Sequence, residues 1–243
     1  MMDVEDLLRS YPRTRPELPE AHGRVYEQEY KLNRGGDAAI EGLAKKLEGW
    51  MHGKIAAHKD RPLLELGAGP LNHVPWEKAA GPYDVVEPFR ALYAESPSRS
   101  RVRSFYDSLH DVPSDNKYQR VVSIAVLEHM TDLPAELARA GLALEDGGVF
   151  QAGIPSEGGF LWWLGWRMTT GISYYLRNHL DYGVMMRHEH VNTAPEIIAL
   201  VRYFFRDVTL CRFPLPFHHA SLYGYLEARR PDSERCKEVL AHG

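Results

Sequence analysis

Cysteine is nearly absent. Cys211 and Cys236 are the only two in 243 residues, and they form neither a zinc-like spacing nor a disulfide framework. A disulfide-built secreted scaffold is thereby excluded, and a reducing compartment fits. A basic excess is also lacking: 29 Lys and Arg stand against 33 Asp and Glu, a formal charge of -4. Nucleic-acid-binding domains usually carry a basic surplus or stripe, so nucleic acid is not the expected partner. The start, Met1-Met2-Asp3-Val4-Glu5-Asp6, is acidic and has no apolar core of the kind a signal peptide needs, so a cytoplasmic location is expected. Internal repeats and low-complexity tracts are missing too. What is present is 44% hydrophobic and 26% charged residues. That is ample for the core of one large domain, or of one domain with a cap.

Patterning predicts where that core lies. Residues 1–60 are polar and mostly helix-like, interrupted by Pro12, Pro16 and Pro19, with Ile40, Leu43, Leu47, Trp50 and Met51 at helical intervals. Short β-like runs follow at Leu63–Leu66, Tyr83–Glu87, Val102–Tyr106, Val121–Ala125 and Val149–Ile154, with a helix expected over Leu133–Leu144. Strands alternating with helices argue for an α/β fold, a parallel sheet covered on both faces. After Pro155 comes an aromatic stretch without strand alternation, then a helix over Pro195–Phe205. Two late runs, Val208–Phe213 and Ser221–Ala228, are close enough to pair as a hairpin and give an antiparallel last strand.

The chemistry concentrates at Leu63-Leu64-Glu65-Leu66-Gly67-Ala68-Gly69-Pro70. A strand ending in close glycines allows the backbone to approach a ligand. Asp84-Val85-Val86-Glu87 ends in a second acid roughly 20 residues on, the interval at which nucleotide folds place a carboxylate on a ribose. The dinucleotide fingerprint would need a third glycine where Asn72 stands, and Glu65 would repel a pyrophosphate. A ligand with an amino group and a sulfonium would instead be attracted, so the loop favours S-adenosylmethionine.

Here the chain resembles the class I S-adenosylmethionine-dependent methyltransferases, in particular their small-molecule branch. Glu65-Leu66-Gly67-Ala68-Gly69 looks like the family's first motif, which implies that Glu65, Gly67, Ala68 and Gly69 wrap the methionine part of the cofactor. Glu87, followed by Pro88, matches the acid that holds the ribose hydroxyls. Asp107-Ser108-Leu109 sits where the family contacts adenine, which implies roles for Ser108 and Leu109. Val126-Leu127-Glu128-His129-Met130 resembles the segment that places Val126 beside the cofactor. Gly147-Gly148-Val149-Phe150 resembles the turn into strand five, and Tyr223–Arg229 the closing strand. The resemblance covers residues 60–155 firmly and 188–229 loosely. It departs at Asn72, and at Gln119-Arg120, where an aspartate commonly opens strand four. N-terminal segments of similar enzymes fold over the cofactor, so Tyr30 and Arg34 are expected to reach its carboxylate.

Three histidines are candidate bases, His188, His190 and His129, because imidazole suits removal of a hydroxyl proton. On an extended segment His188 and His190 would point the same way. Thr193 and Glu196 read as a capping box opening the next helix. His188, Glu189, His190, His218 and His219 offer donor types for a metal but no helical ligand spacing, so no metal site is expected. Phe160-Leu161-Trp162-Trp163-Leu164-Gly165-Trp166 is too short and too interrupted by Arg167 and Arg177 to span a bilayer. It reads chiefly as a cap helix packed over the sheet, closing an acceptor pocket, with an interfacial contact for a lipid-linked acceptor as a further reading.

The expectation is one domain. Residues 1–60 form a helical lid, 61–155 the cofactor-binding core, 156–195 a substrate cap, and 196–243 a helix with a strand hairpin. The expected activity is methyl transfer from S-adenosylmethionine to a small-molecule acceptor, at oxygen and on a sugar hydroxyl by preference. An NAD(P)-dependent oxidoreductase and a non-catalytic methyltransferase-like scaffold are the alternatives. The Asn/Asp-Pro-Pro-aromatic segment of many DNA methyltransferases is absent after strand four, which again disfavours nucleic acid. The sequence leaves the acceptor and the oligomeric state open.

Overall fold

A computed structural model describes the backbone of residues 3–31 and 38–242, and the side chains of 3–26 and 47–241. Its centre is a seven-stranded sheet: β1 (Leu63–Leu66), β2 (Tyr83–Val86), β3 (Ser104–Tyr106), β4 (Tyr118–Ile124), β5 (Leu144–Pro155), β6 (Phe205–Pro214) and β7 (Ser221–Pro231). The spatial order is β3-β2-β1-β4-β5-β7-β6. β1 to β5 are mutually parallel, and β7 runs antiparallel between β5 and β6. The expected hairpin and reversed strand are both there.

β1 and β2 are buried along their whole length, which is why they read as runs and not as alternations. The polar member, Asp84, survives burial because Tyr118 Oη (2.8 Å) and Arg103 Nε (2.9 Å) donate to it. Two layers of helix cover the sheet. On one face α1 (Val4–Arg9), α5 (Leu133–Leu142), α9 (Ala194–Phe204) and α10 (Ser233–His242) enclose Leu64, Leu66, Val121, Phe150 and Leu226. On the other, α3 (Ala38–Ile55) sends Met51 and Ile55 against the strands, with α4 (Arg90–Tyr93) beside Phe105. α3 lies so close to β5 that a Cβ on Gly153 would stand 2.8 Å from Met51 Cβ.

The helices start where the sequence signals them. Asp132 caps α5 by accepting from Ala135 N, and Thr193 N donates to Glu196 Oε2 (2.7 Å) at the head of α9. β3 begins two residues later than expected because Arg99–Arg101 closes a 3-10 turn. β5 begins five residues earlier because Leu144 already pairs with Tyr118. α2 (Glu20–Lys31) precedes α3.

The insert after β5 is helical: α6 (Phe160–Trp166), a π-turn at Arg167–Gly171, α7 (Ile172–Asn178) and α8 (Tyr182–Glu189). The aromatic stretch divides between two faces. Tyr174 is buried, whereas Phe160, Trp163, Met168, Ile172, Tyr175 and Leu176 stand exposed. Packing over the sheet therefore accounts for only part of it. No helix among the described residues is long and apolar enough to cross a membrane.

Candidate active site

Strand order reverses between β2-β1 and β1-β4, the point where parallel sheets open a crevice at the carboxyl ends of their strands. The glycine loop leaves β1 there. Gly67 has φ 65° and Gly69 φ 51°. At Gly67 both conformation and space demand the missing side chain, since a Cβ would stand 2.5 Å from Val126 Cγ1. At Gly69 nothing among the described residues lies within 4 Å of such a Cβ, so that side of the loop backbone is open there.

Glu87, buried just past β2, ties the loop down. Its Oε2 accepts from Gly69 N (2.7 Å) and its Oε1 from Phe89 N (2.9 Å). Each carboxylate oxygen keeps a further lone pair, enough for two vicinal hydroxyls. Pro88 is exposed on the rim; Leu109 is buried; Ser108 Oγ is turned to Asp111 Oδ2 (2.6 Å). Val126 packs on Gly67, and so borders the same crevice.

Glu65, near the end of β1, is buried. It is only 3% exposed, and Tyr83 Oη donates to its Oε2 at 2.6 Å. Burial pushes its carboxyl above the ordinary value, against the opposing pull of His73 and the Tyr83 bond. The acid closing this apolar strand is thus held by a buried Tyr–Glu contact through Oε2. Arg34 and the Tyr30 side chain lie outside the described residues.

A second group of side chains gathers across the crevice, where loops after β4 and β5 meet the segment before α9. Glu128 O accepts from Val191 N (2.9 Å) and Asn192 N (3.1 Å). Buried Asn192 completes the junction: Nδ2 donates to Leu127 O (2.8 Å) and Met130 O (2.7 Å), while Oδ1 accepts from Tyr11 Oη (2.6 Å). This lacing puts the His129 and His190 rings 4.7 Å apart and nearly perpendicular. The N-terminal segment pins it from outside, with Arg13 donating to Val191 O and Glu196 Oε1 (2.7 Å), and Arg15 to His129 O (3.2 Å).

Each ring has a fixed orientation. His190 Nδ1 lies 2.6 Å from Glu157 Oε2, which also accepts from Trp162 Nε1 (2.6 Å). Burial pulls Glu157 upward, but His190 and Trp162 together hold it below the ordinary carboxylate range, so it stays ionised. His129 Nδ1 lies 2.9 Å from Glu189 O and 3.3 Å from Glu189 Oε2. Burial works against its charged form, yet the Glu189 carboxylate and then Glu128 outweigh that and raise it; Glu189 itself falls to about 2. Trp162 and Tyr223 meet edge to face at 5.6 Å and add an aromatic wall.

His188 does not join this group, and here the expected common direction fails. Residues 182–189 are helical, so a two-residue step turns His188 about 200° from the next-but-one position instead of aligning with it. Its Nδ1 meets Pro16 O (2.7 Å) on the outer surface. Conversely Glu157, Trp162, Asn192 and Tyr223 were missed. Glu157 left one faint signal, a polar residue just past a buried strand's carboxyl end.

No family model and no curated protein matches the chain. Solved structures do. A SAM-dependent methyltransferase of Thermotoga maritima is 16% identical, with 84% of this chain and 94% of that one covered at a TM-score of 0.55. An O-methyltransferase family protein of Burkholderia thailandensis is 14% identical over 77% of this chain and 56% of that one, at 0.51. Phosphoethanolamine N-methyltransferase 2 of Haemonchus contortus, in complex with S-adenosyl-L-methionine, is 12% identical over 76% and 52%, at 0.52. The chain has the fold of the class I S-adenosylmethionine-dependent methyltransferases.

Proposed function

We propose that the protein transfers the methyl group of S-adenosylmethionine to an oxygen of a polar small molecule. The observation that carries this is the pairing of two positive-φ glycines with Glu87, whose carboxylate binds Gly69 N where a ribose would lie. Gly67, Ala68 and Gly69 would pass along the methionine part; Glu87 and Pro88 would border the ribose; Ser108 and Leu109 would flank the adenine; Val126 would face the sulfur. Glu65 supports the loop from below. Tyr30 and Arg34 complete the proposal as carboxylate contacts from the N-terminal segment. When bound, the cofactor supplies a methyl carbon on a sulfonium, which departs as a neutral thioether.

The chain's part is positioning and proton handling. An acceptor hydroxyl held in line with the C–S bond attacks as that bond breaks, and its proton must leave as the C–O bond forms. His190 is the best-placed base: Glu157 holds Nδ1–H and fixes the ring, leaving Nε2 to take the proton. His129, whose charged form is favoured, would steady the developing oxyanion. Trp162 and Tyr223 would exclude water. A sugar-like acceptor suits a wall of histidines and carboxylates, and nucleic acid does not suit it. The exposed apolar cap residues add a second reading, an acceptor presented at a membrane surface. Titration calorimetry with S-adenosylhomocysteine tests the core claim. Micromolar binding that weakens at least tenfold in Glu87→Ala is expected; NADH binding in its place would refute it.

A further inference from the structure

The wall of the proposed acceptor pocket has a feature that proton transfer does not require. Glu128 is 1% exposed, and its Oε2 is buried with no hydrogen-bond partner among the described residues. A buried carboxylate oxygen without a donor is costly, and it calls for a cation. Its other oxygen lies 3.7 Å from His129 Nε2. One donor atom each from Glu128, His129 and His190 falls within 4.8 Å of the others.

The orientation of the two rings adds an independent argument. Metal-binding histidines almost always donate the ring N–H they do not use to a carboxylate or carbonyl. Both rings here are held that way: His129 Nδ1 by Glu189 O and Oε2, His190 Nδ1 by Glu157 Oε2. In each case Nε2 is left as the ligating atom. The backbone junction at Glu128 O, Val191 N and Asn192 N fixes the loops that carry the three donors. Ligands around a first-row metal stand roughly 3–3.5 Å apart, so shifts of about 1 Å, with the ring hydrogen bonds kept, would close the trio.

We propose that Glu128, His129 and His190 form a two-histidine, one-carboxylate site for a divalent first-row transition metal ion. Three protein donors leave open positions, where an acceptor hydroxyl would bind and lose its proton more readily. This deepens the functional reading, since it rests on the same pocket as the acceptor site. In the metal-bound form His129 and His190 both ligate through a neutral Nε2, so His129 has given up the proton its metal-free form favours. The ion would lower the pKa of the acceptor hydroxyl, whose proton passes to solvent before the oxygen attacks the methyl carbon and the C–S bond breaks. The sequence concealed the trio because Glu128-His129 and His190 are 61 residues apart, and no ligand spacing links them.

The test is Co2+ titration of chelator-stripped protein, followed by visible absorption and calorimetry, with S-adenosylhomocysteine binding measured on each sample. One equivalent should bind, with a d–d spectrum of four- or five-coordinate Co2+. Glu128→Gln, nearly isosteric, and His190→Ala should each lose about 100-fold or more in affinity. Glu157→Ala, which releases the His190 ring without removing a donor, should lose about 10–100-fold. Retained S-adenosylhomocysteine binding in these variants would show that they fold. Wild-type uptake no tighter than that of Glu128→Gln would overturn the metal site while leaving methyl transfer standing. Stoichiometric Co2+ binding without S-adenosylhomocysteine binding would overturn the methyltransferase reading instead.

Discussion

Alanine at Gly67 is opposed by two separable effects. Gly67 sits at φ 65°, and an L-residue held in that left-handed region costs about 1–2 kcal/mol. The new Cβ would also lie 2.5 and 2.6 Å from the Val126 Cγ atoms and 3.0 Å from its Cβ. Relieving such overpacking costs about 1–3 kcal/mol. Gly67→Ala should therefore lose about 2–5 kcal/mol, a large share of the roughly 5–15 kcal/mol that a domain has. Val126→Ala removes both Cγ atoms and leaves only its Cβ at 3.0 Å, so in that background the loss should fall to little more than the backbone strain of about 1–2 kcal/mol. The coupling between the two substitutions should be about 1–3 kcal/mol. Urea unfolding of the four proteins of the cycle, at constant m, measures it. S-adenosylhomocysteine affinity should follow the same order, because Gly67 N is held to Val86 O (2.8 Å) and any shift there carries the loop along. An equal loss from Gly67→Ala in both backgrounds would refute the steric argument and leave strain alone.

Further expectations concern the buried charges and the strap. Arg120 is fully buried, its guanidinium shared among Glu77 (2.9 and 3.1 Å), Gln151 Oε1 (2.9 Å) and Ile55 O (2.8 Å). Glu77→Gln would strand that charge and cost about 3–5 kcal/mol, whereas pairing it with Arg120→Met should cost less than the single change; urea midpoints decide. Burial raises Glu77, but His73 and Arg120 outweigh it and take it to about 2. With the unfolded value near 4.5, its contribution is complete above about pH 4.5 and is lost as pH falls towards 2. Unfolding curves across that window should flatten in Glu77→Gln. Arg13→Ala removes the tie between the N-terminal segment and Glu196, and should raise the KM for the acceptor more than that for S-adenosylmethionine. An equal effect on both constants would count against the strap acting on the histidine wall.

Much of the cofactor side was legible because its signals are local. A four-residue strand of three leucines and a glutamate, two glycines and an acid at the end of the next strand lie within 25 residues, and the backbone they imply is the backbone found. The capping box at Thr193-Glu196 and the β6-β7 hairpin were likewise written in adjacent residues. In the sequence Gln119-Arg120 is visible only as a departure from the family's pattern. In the folded chain Arg120 is the hub of a buried network instead, since Glu77, Gln151 and Ile55 reach it from three other segments.

The sequence by itself determined the sheet, its reversed strand and the glycine loop, because periodicity, turn chemistry and glycine conformation act between near neighbours. Only the tertiary structure decided which side chains line the proposed acceptor wall. It set Glu65 against Tyr83 and turned His188 outward on a helix. It also brought Glu128, His129, Glu157 and His190 together from three loops. Contacts between distant segments depend on how the helices and cap pack, and no local pattern carries that information.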